Sequence, residues 1–133
     1  MTEVFADTFY FIAILGSDAQ ERRKAFAAAN ASAATLVTTA WVITEVGGFM
    51  RRPHERAAFI NIVRDLRSSN DVVLLPAESG LWQRGLELYE DRMDKEWSLV
   101  DCISFVVMRD RNITDALTGD HHFEQAGFNA LLK

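Results

Sequence analysis

Little in this sequence can bind a soft metal or cross-link the chain. One cysteine, Cys102, occurs in 133 residues, so no internal disulfide can form and no CxxC pair offers thiolate ligands. A lone thiol within an apolar segment is expected to be a small buried residue. Phosphate-cradling loops are also missing, because neither GxxxxGKS/T nor GxGxxG occurs. No GxSxG elbow presents a serine nucleophile. Long uninterrupted apolar runs are absent too. The opening MTEVFADTFYFIAIL carries Glu3 and Asp7, which suits neither a signal peptide nor a membrane span, so a cytoplasmic protein is expected. No internal repeat, low-complexity segment or linker stands out, and a single domain over 1–133 is expected.

What is present is the balance of a folded globular chain: 49% hydrophobic and 25% charged residues, enough for one ordinary core. Nineteen acids against fourteen bases leave a net charge of -5, which argues against nucleic-acid binding through phosphate neutralisation. That objection weakens if acids cluster around a divalent cation, since the ion reverses the local field.

Continuously apolar strands alternate with amphipathic helices. Val4–Ala6, Thr35–Thr38, Asp71–Leu75, Ile113–Leu117 and Ala130–Leu132 read as strands, with β-branched and aliphatic residues throughout. Asp18 is a helix N-cap for a segment that Asn30 helps to stop, and Thr39 caps a helix starting near Ala40. Further helices are predicted over 54–69 with Phe59, Ile62, Val63 and Leu66 inward, over 78–92 with Leu81, Trp82, Leu88 and Tyr89 inward, and over 98–109. Strands buried on both faces indicate an α/β fold, a parallel sheet between helical layers, whose ligands bind beyond the strands' carboxyl ends.

Four acids are expected on that edge. Asp7 and Asp120 follow strands, while Glu45 and Asp101 fall in what read as the first turns of helices. Each has an ordinary structural reading: SLVD makes Asp101 part of a capping box, Asp120 can cap HHFEQ, Glu45 can be a surface residue and Asp7 a polar strand end. Their conjunction favours a site. Asp101 sits in a helix that is otherwise apolar nearly all round, and a buried carboxylate is costly unless paired or bound to metal. Repulsion among neighbouring carboxylates is relieved by a divalent cation, and hard oxygen donors point to Mg2+ or Mn2+ rather than zinc. The histidines receive no metal role: His121 and His122 are adjacent and expected to diverge, and His54 is expected in a loop after Pro53. A phospho-acceptor receiver domain would want paired acids after the first strand and a late lysine. Phe5-Ala6-Asp7 and the lack of lysine between Glu96 and Asn129 count against it.

Four blocks, ADTFYFIAIL, TTAWVITEVGGFM, DKEWSLVDCISFVVM and ALTGDHHFEQAGFNALL, resemble in order those of a PIN domain, across nearly the whole chain. The resemblance implies a three-layer α/β/α sandwich and a Mg2+- or Mn2+-dependent ribonuclease, similar to VapC-type toxins, leaving 5′-phosphate and 3′-hydroxyl ends. It maps the family's acids onto Asp7, Glu45, Asp101 and Asp120 and its threonine onto Thr118; Thr8 and Thr118 are expected to orient ligands or water. It also implies an RNA substrate, an antitoxin partner and a homodimer. An inactive PIN-fold module binding RNA or protein is the competing expectation. Arg51 and Arg52 are candidates for phosphate contact or simply a solvated helix end, and Asp115 is left outside the site.

Overall fold

The computed structural model describes residues 2–133. In chain order the elements are β1 (Glu3–Ala6), α1 (Thr8–Leu15), α2 (Ala19–Ser32), β2 (Thr35–Thr39), α3 (Ala40–Phe49), α4 (Pro53–Ser68), β3 (Val72–Leu75), α5 (Ser79–Asp91), α6 (Leu99–Asp110), β4 (Asp115–Leu117), α7 (His121–Gln125) and β5 (Asn129–Ala130). The five strands form one parallel sheet in the order β3-β2-β1-β4-β5, the α/β architecture expected from the apolar strands. The chain builds outward from β1 in one direction through β2 and β3, then returns to add β4 and β5 on the other side. The reversal leaves a crevice between β1 and β4 at the strands' carboxyl ends, where ligands of such sheets bind.

Burial explains why these segments are strands. Val4, Phe5 and Ala6 on β1 and Ala116 and Leu117 on β4 are all 2% exposed or less, as central parallel strands require. Thr38 tolerates full burial on β2 because its Oγ1 donates to the Ala6 carbonyl at 2.8 Å, so no polar atom goes unpaired. Thr39 accepts from Val42 N at 3.2 Å and starts α3 as expected. Cys102 is wholly buried on α6, and burial pushes its thiol up to about 11, which leaves it inert at neutral pH.

Several boundaries differ from the sequence reading. The segment after Asp7 is helix α1, whose aromatic and β-branched residues carry no amphipathic stripe because Tyr10 and Phe11 are buried while Phe9 faces out. Helix α2 runs past Asn30 to Ser32 and ends on Ala33 in a left-handed conformation (φ 46°). His54 lies in the first turn of α4, since Pro53 occupies a position where a missing N–H costs nothing. Trp82 and Tyr89 are 42% and 47% exposed instead of lining the inner stripe of α5. The reason is Gly85, buried in the face that meets α6. A Cβ there would stand 2.3 Å from Ile103 Cγ1 and 3.1 Å from Ile103 Cα, so close backbone approach replaces bulky side chains. Gly85→Ala is therefore expected to lower stability by about 1–3 kcal/mol through overpacking, read as a lower urea midpoint at unchanged slope; an unchanged midpoint would show that α5 and α6 separate freely.

Candidate active site at the sheet edge

Each expected acid reaches the β1/β4 crevice by a different local device. Asp7 is the first residue beyond β1, and its N–H donates to the Leu117 carbonyl at 3.4 Å. It occupies the N-cap position of α1 without capping it, because its side chain turns instead to Thr118, whose Oγ1 donates to Asp7 Oδ2 at 2.9 Å. The same hydroxyl accepts from Asp120 N at 3.1 Å. One buried threonine thus sets both carboxylate-bearing strand ends.

Glu45 lies in the second turn of α3, later than expected, and is held by Thr8 Oγ1, which donates to its Oε1 at 2.5 Å. Asp101 is both a capping residue and part of the cluster. Its N–H donates to Ser98 Oγ at 3.0 Å while its Oδ2 accepts from Ser98 N at 3.1 Å, satisfying two donors at the start of α6. Asp120 caps α7 by accepting from His122 N at 2.9 Å. The capping readings are true, and they orient the carboxylates rather than competing with a site. All four acids line one cleft of about 820 Å³, to which Asp18, Glu21 and Glu96 add further carboxylates; among the described residues no lysine or arginine lines it.

Electrostatics mark the centre of that cleft. Asp7 is 4% exposed and Asp101 8% exposed. Burial, and next the negative charge of Asp101, push the Asp7 carboxyl up to about 7. Burial also raises Asp101 against the opposing hydrogen bond from Ser98. Carboxylates so placed are unstable as anions unless a cation joins them.

His122, to which the sequence assigns no metal role, also lines the cleft. Its ring lies against that of His121, with centroids 4.3 Å apart and planes tilted by 48°, so the adjacent histidines do not diverge. Its Nδ1 lies 3.2 Å from Asp120 Oδ1 and 3.4 Å from Asp101 Oδ2 yet is a buried atom without a hydrogen-bond partner. An orphaned buried nitrogen between two carboxylates fits a cation centre. Asp120, His121 and His122 present ligand atoms within 4.8 Å of one another. The available signal was position: a residue two beyond an N-cap folds back over the capping carboxylate. Phe9, Phe49, Glu96 and Ser98 also line the cleft unforeseen. Arg51 and Arg52 do not line it, and Arg52 N instead donates to Glu55 Oε1 at 3.1 Å. Asp115 is turned to Asn129, whose Nδ2 donates to it at 2.8 Å, so its omission agrees with its position.

The sequence profile described as PIN domain matches residues 4–129. No curated protein sequence matches the chain. Among solved structures it is similar to VapC20 of Mycobacterium tuberculosis, a sarcin-ricin loop cleaving toxin, with a TM-score of 0.83 and 24% identity over 94% of this chain and 95% of that one. FitAcB from Neisseria gonorrhoeae is a more distant likeness, with a TM-score of 0.63 and 13% identity over 96% of this chain and 95% of that one. At these identities the likeness is one of fold. Among the described residues no helix is long and apolar enough to cross a membrane.

Proposed function

Because the chain belongs to the PIN-domain family, we propose that it is a metal-dependent endoribonuclease, one PIN domain over 1–133 that acts as the toxin of a VapBC-type pair. The observation that carries the reading is the convergence of Asp7, Glu45, Asp101 and Asp120 on one cleft at the sheet's switch point. Its likeness in fold to VapC20, named as a sarcin-ricin loop cleaving toxin, supports the reading. An antitoxin that covers the cleft and a homodimer are part of the proposal.

In this reading the four carboxylates hold Mg2+ or Mn2+. When bound, such an ion would supply Lewis-acid chemistry at a phosphodiester, and Asp7, Glu45, Asp101 and Asp120 would be the residues that hold it. The chain's own contribution is preorganisation. Thr118 holds Asp7 and the Asp120 backbone with one hydroxyl, Thr8 holds Glu45, and Ser98 holds Asp101, so the donors need little rearrangement when charge arrives. Burial of Asp7 and Asp101 keeps water from screening the centre. A cleft lined by seven acids and, among the described residues, by no lysine or arginine repels phosphate until a cation is present, so loading and substrate binding are linked.

Purified protein is expected to cleave RNA with Mg2+ or Mn2+, leaving 5′-phosphate ends, and EDTA is expected to stop it until either ion is restored. Cleavage that persists in EDTA would overturn metal dependence. RNA binding without cleavage in the loaded protein would leave a non-catalytic binding module.

A further inference from the structure

We propose that His122 is a nitrogen ligand of the divalent cation, so that the centre is a mixed carboxylate–imidazole set favouring transition-metal ions such as manganese over magnesium. The inference rests on the metal-dependent reading above, and adds a residue to the expected acids.

Geometry carries it. The imidazole is held on the second residue of α7, packed against the His121 ring and mostly buried, with its side chain 19% exposed. Nδ1 points inward to Asp120 Oδ1 and Asp101 Oδ2 at 3.2 Å and 3.4 Å. Neither contact has hydrogen-bond alignment, because Nδ1 has no partner. Buried ring nitrogens are ordinarily paired, and an N–H serving to orient either acid would be aligned with it. The separations instead suit adjacent ligand atoms on one ion, which lie roughly 3.0–3.5 Å apart for the bond lengths of small and mid-sized divalent cations.

The acceptor oxygens remain competent as ligands. Asp120 Oδ1 accepts one backbone N–H from His122, and Asp101 Oδ2 one from Ser98. Each carboxylate oxygen keeps a second lone pair. The backbone of His122 is already fixed by its N–H to Asp120, so the ring is free to serve the ion. An imidazole in a carboxylate set shifts selectivity away from magnesium, whose preferred donors are oxygens, toward transition metals.

The test is pulsed EPR on metal-free protein loaded with one equivalent of Mn2+. Nitrogen-14 modulation from a directly bound imidazole is expected in the parent, replaced by the nitrogen-15 pattern on histidine labelling. It is expected to vanish in His122→Ala and to persist in His121→Ala and His54→Ala. Apparent Mn2+ affinity is expected to fall roughly 10–100-fold in His122→Ala, and Mg2+ affinity less. Bound manganese without nitrogen coupling in the parent, or coupling that survives His122→Ala, would overturn the ligand while leaving the ribonuclease reading intact. If no manganese binds the parent, both fall. Labelling of the parent keeps the test valid should His122→Ala fail to fold.

Discussion

Asp7→Asn is expected to melt higher than the parent at pH 8 when both are stripped of metal, and, with metal restored, to cleave RNA more than roughly a hundredfold more slowly. Both effects come from one cause. Burial and then the Asp101 charge push the Asp7 carboxyl up to about 7, against an ordinary value of about 4 in an unfolded chain. Its folded value is the raised one, so its stabilising contribution is full below pH about 4 and is lost as pH rises through about 7. Over that window the metal-free parent is expected to lose up to about 4 kcal/mol. Asparagine keeps an oxygen for the Thr118 hydroxyl and carries no charge, so the variant escapes this loss.

The expected gain in melting temperature at pH 8 is on the order of 5 °C or more. It should shrink toward pH 4, where the parent's carboxyl is protonated. Saturating Mg2+ or Mn2+ should raise the parent above its metal-free melting point and do less for the variant. Thermal melts at pH 4.5, 6 and 8, with and without EDTA, measure all of this. A variant with the parent's pH dependence would assign the strain to another group, and a variant that cleaves at the parent's rate would remove Asp7 from the site.

Phe105→Ala is expected to cost about 3–5 kcal/mol, enough to unfold much of the population at 37 °C. Phe105 has no exposed surface. Its ring meets Trp97 edge-on at 5.0 Å, Phe123 edge-on at 4.9 Å and Phe128 at 5.7 Å. It thereby ties α6, which carries Asp101, to α7, whose cap is Asp120, while Trp97 Nε1 donates to Gln125 Oε1 at 3.0 Å. Truncation removes the centre of that cluster and leaves a void that aromatic rings fill poorly. Urea unfolding followed by tryptophan fluorescence reads the loss. Phe105→Leu, which keeps most of the volume, should cost less and retain metal binding. A Phe105→Ala protein as stable as the parent would mean that α6 and α7 are held by their caps alone.

The contrast between Asp101 and His122 shows which parts of the site were legible. Asp101 was found because an acid in the first turn of an apolar helix violates the local rule that buried charge needs a partner. His122 violates no local rule, since a histidine after an N-cap is unremarkable until Asp101 arrives from a distant helix. Glu45 was expected on the ligand edge and lines the cleft there, although its turn was misplaced, because helix boundaries are less sharply encoded than the helix itself. The inner face of α5 was misread for a related reason: Gly85 has no side chain to signal that backbone, rather than Trp82 or Tyr89, meets α6. Helix α1 is not legible because an octet that is apolar but for Thr8 and the Tyr10 hydroxyl has no polar face to set its period.

By itself the sequence determined the alternation of buried strands and helices, and hence a parallel sheet with a ligand edge, because apolar periodicity and caps act over a few residues. It also pointed to the four carboxylates that line that edge, although Glu45 stands a turn into α3 rather than at an element end. Only the tertiary structure decided how they meet. Strand order places β1 beside β4, so that Thr118 can donate to Asp7 across 111 residues of sequence. Packing of α6 against α7 then brings the His122 nitrogen between Asp101 and Asp120. Those contacts depend on through-space distance, which sequence separation does not encode and which the packing of the core sets.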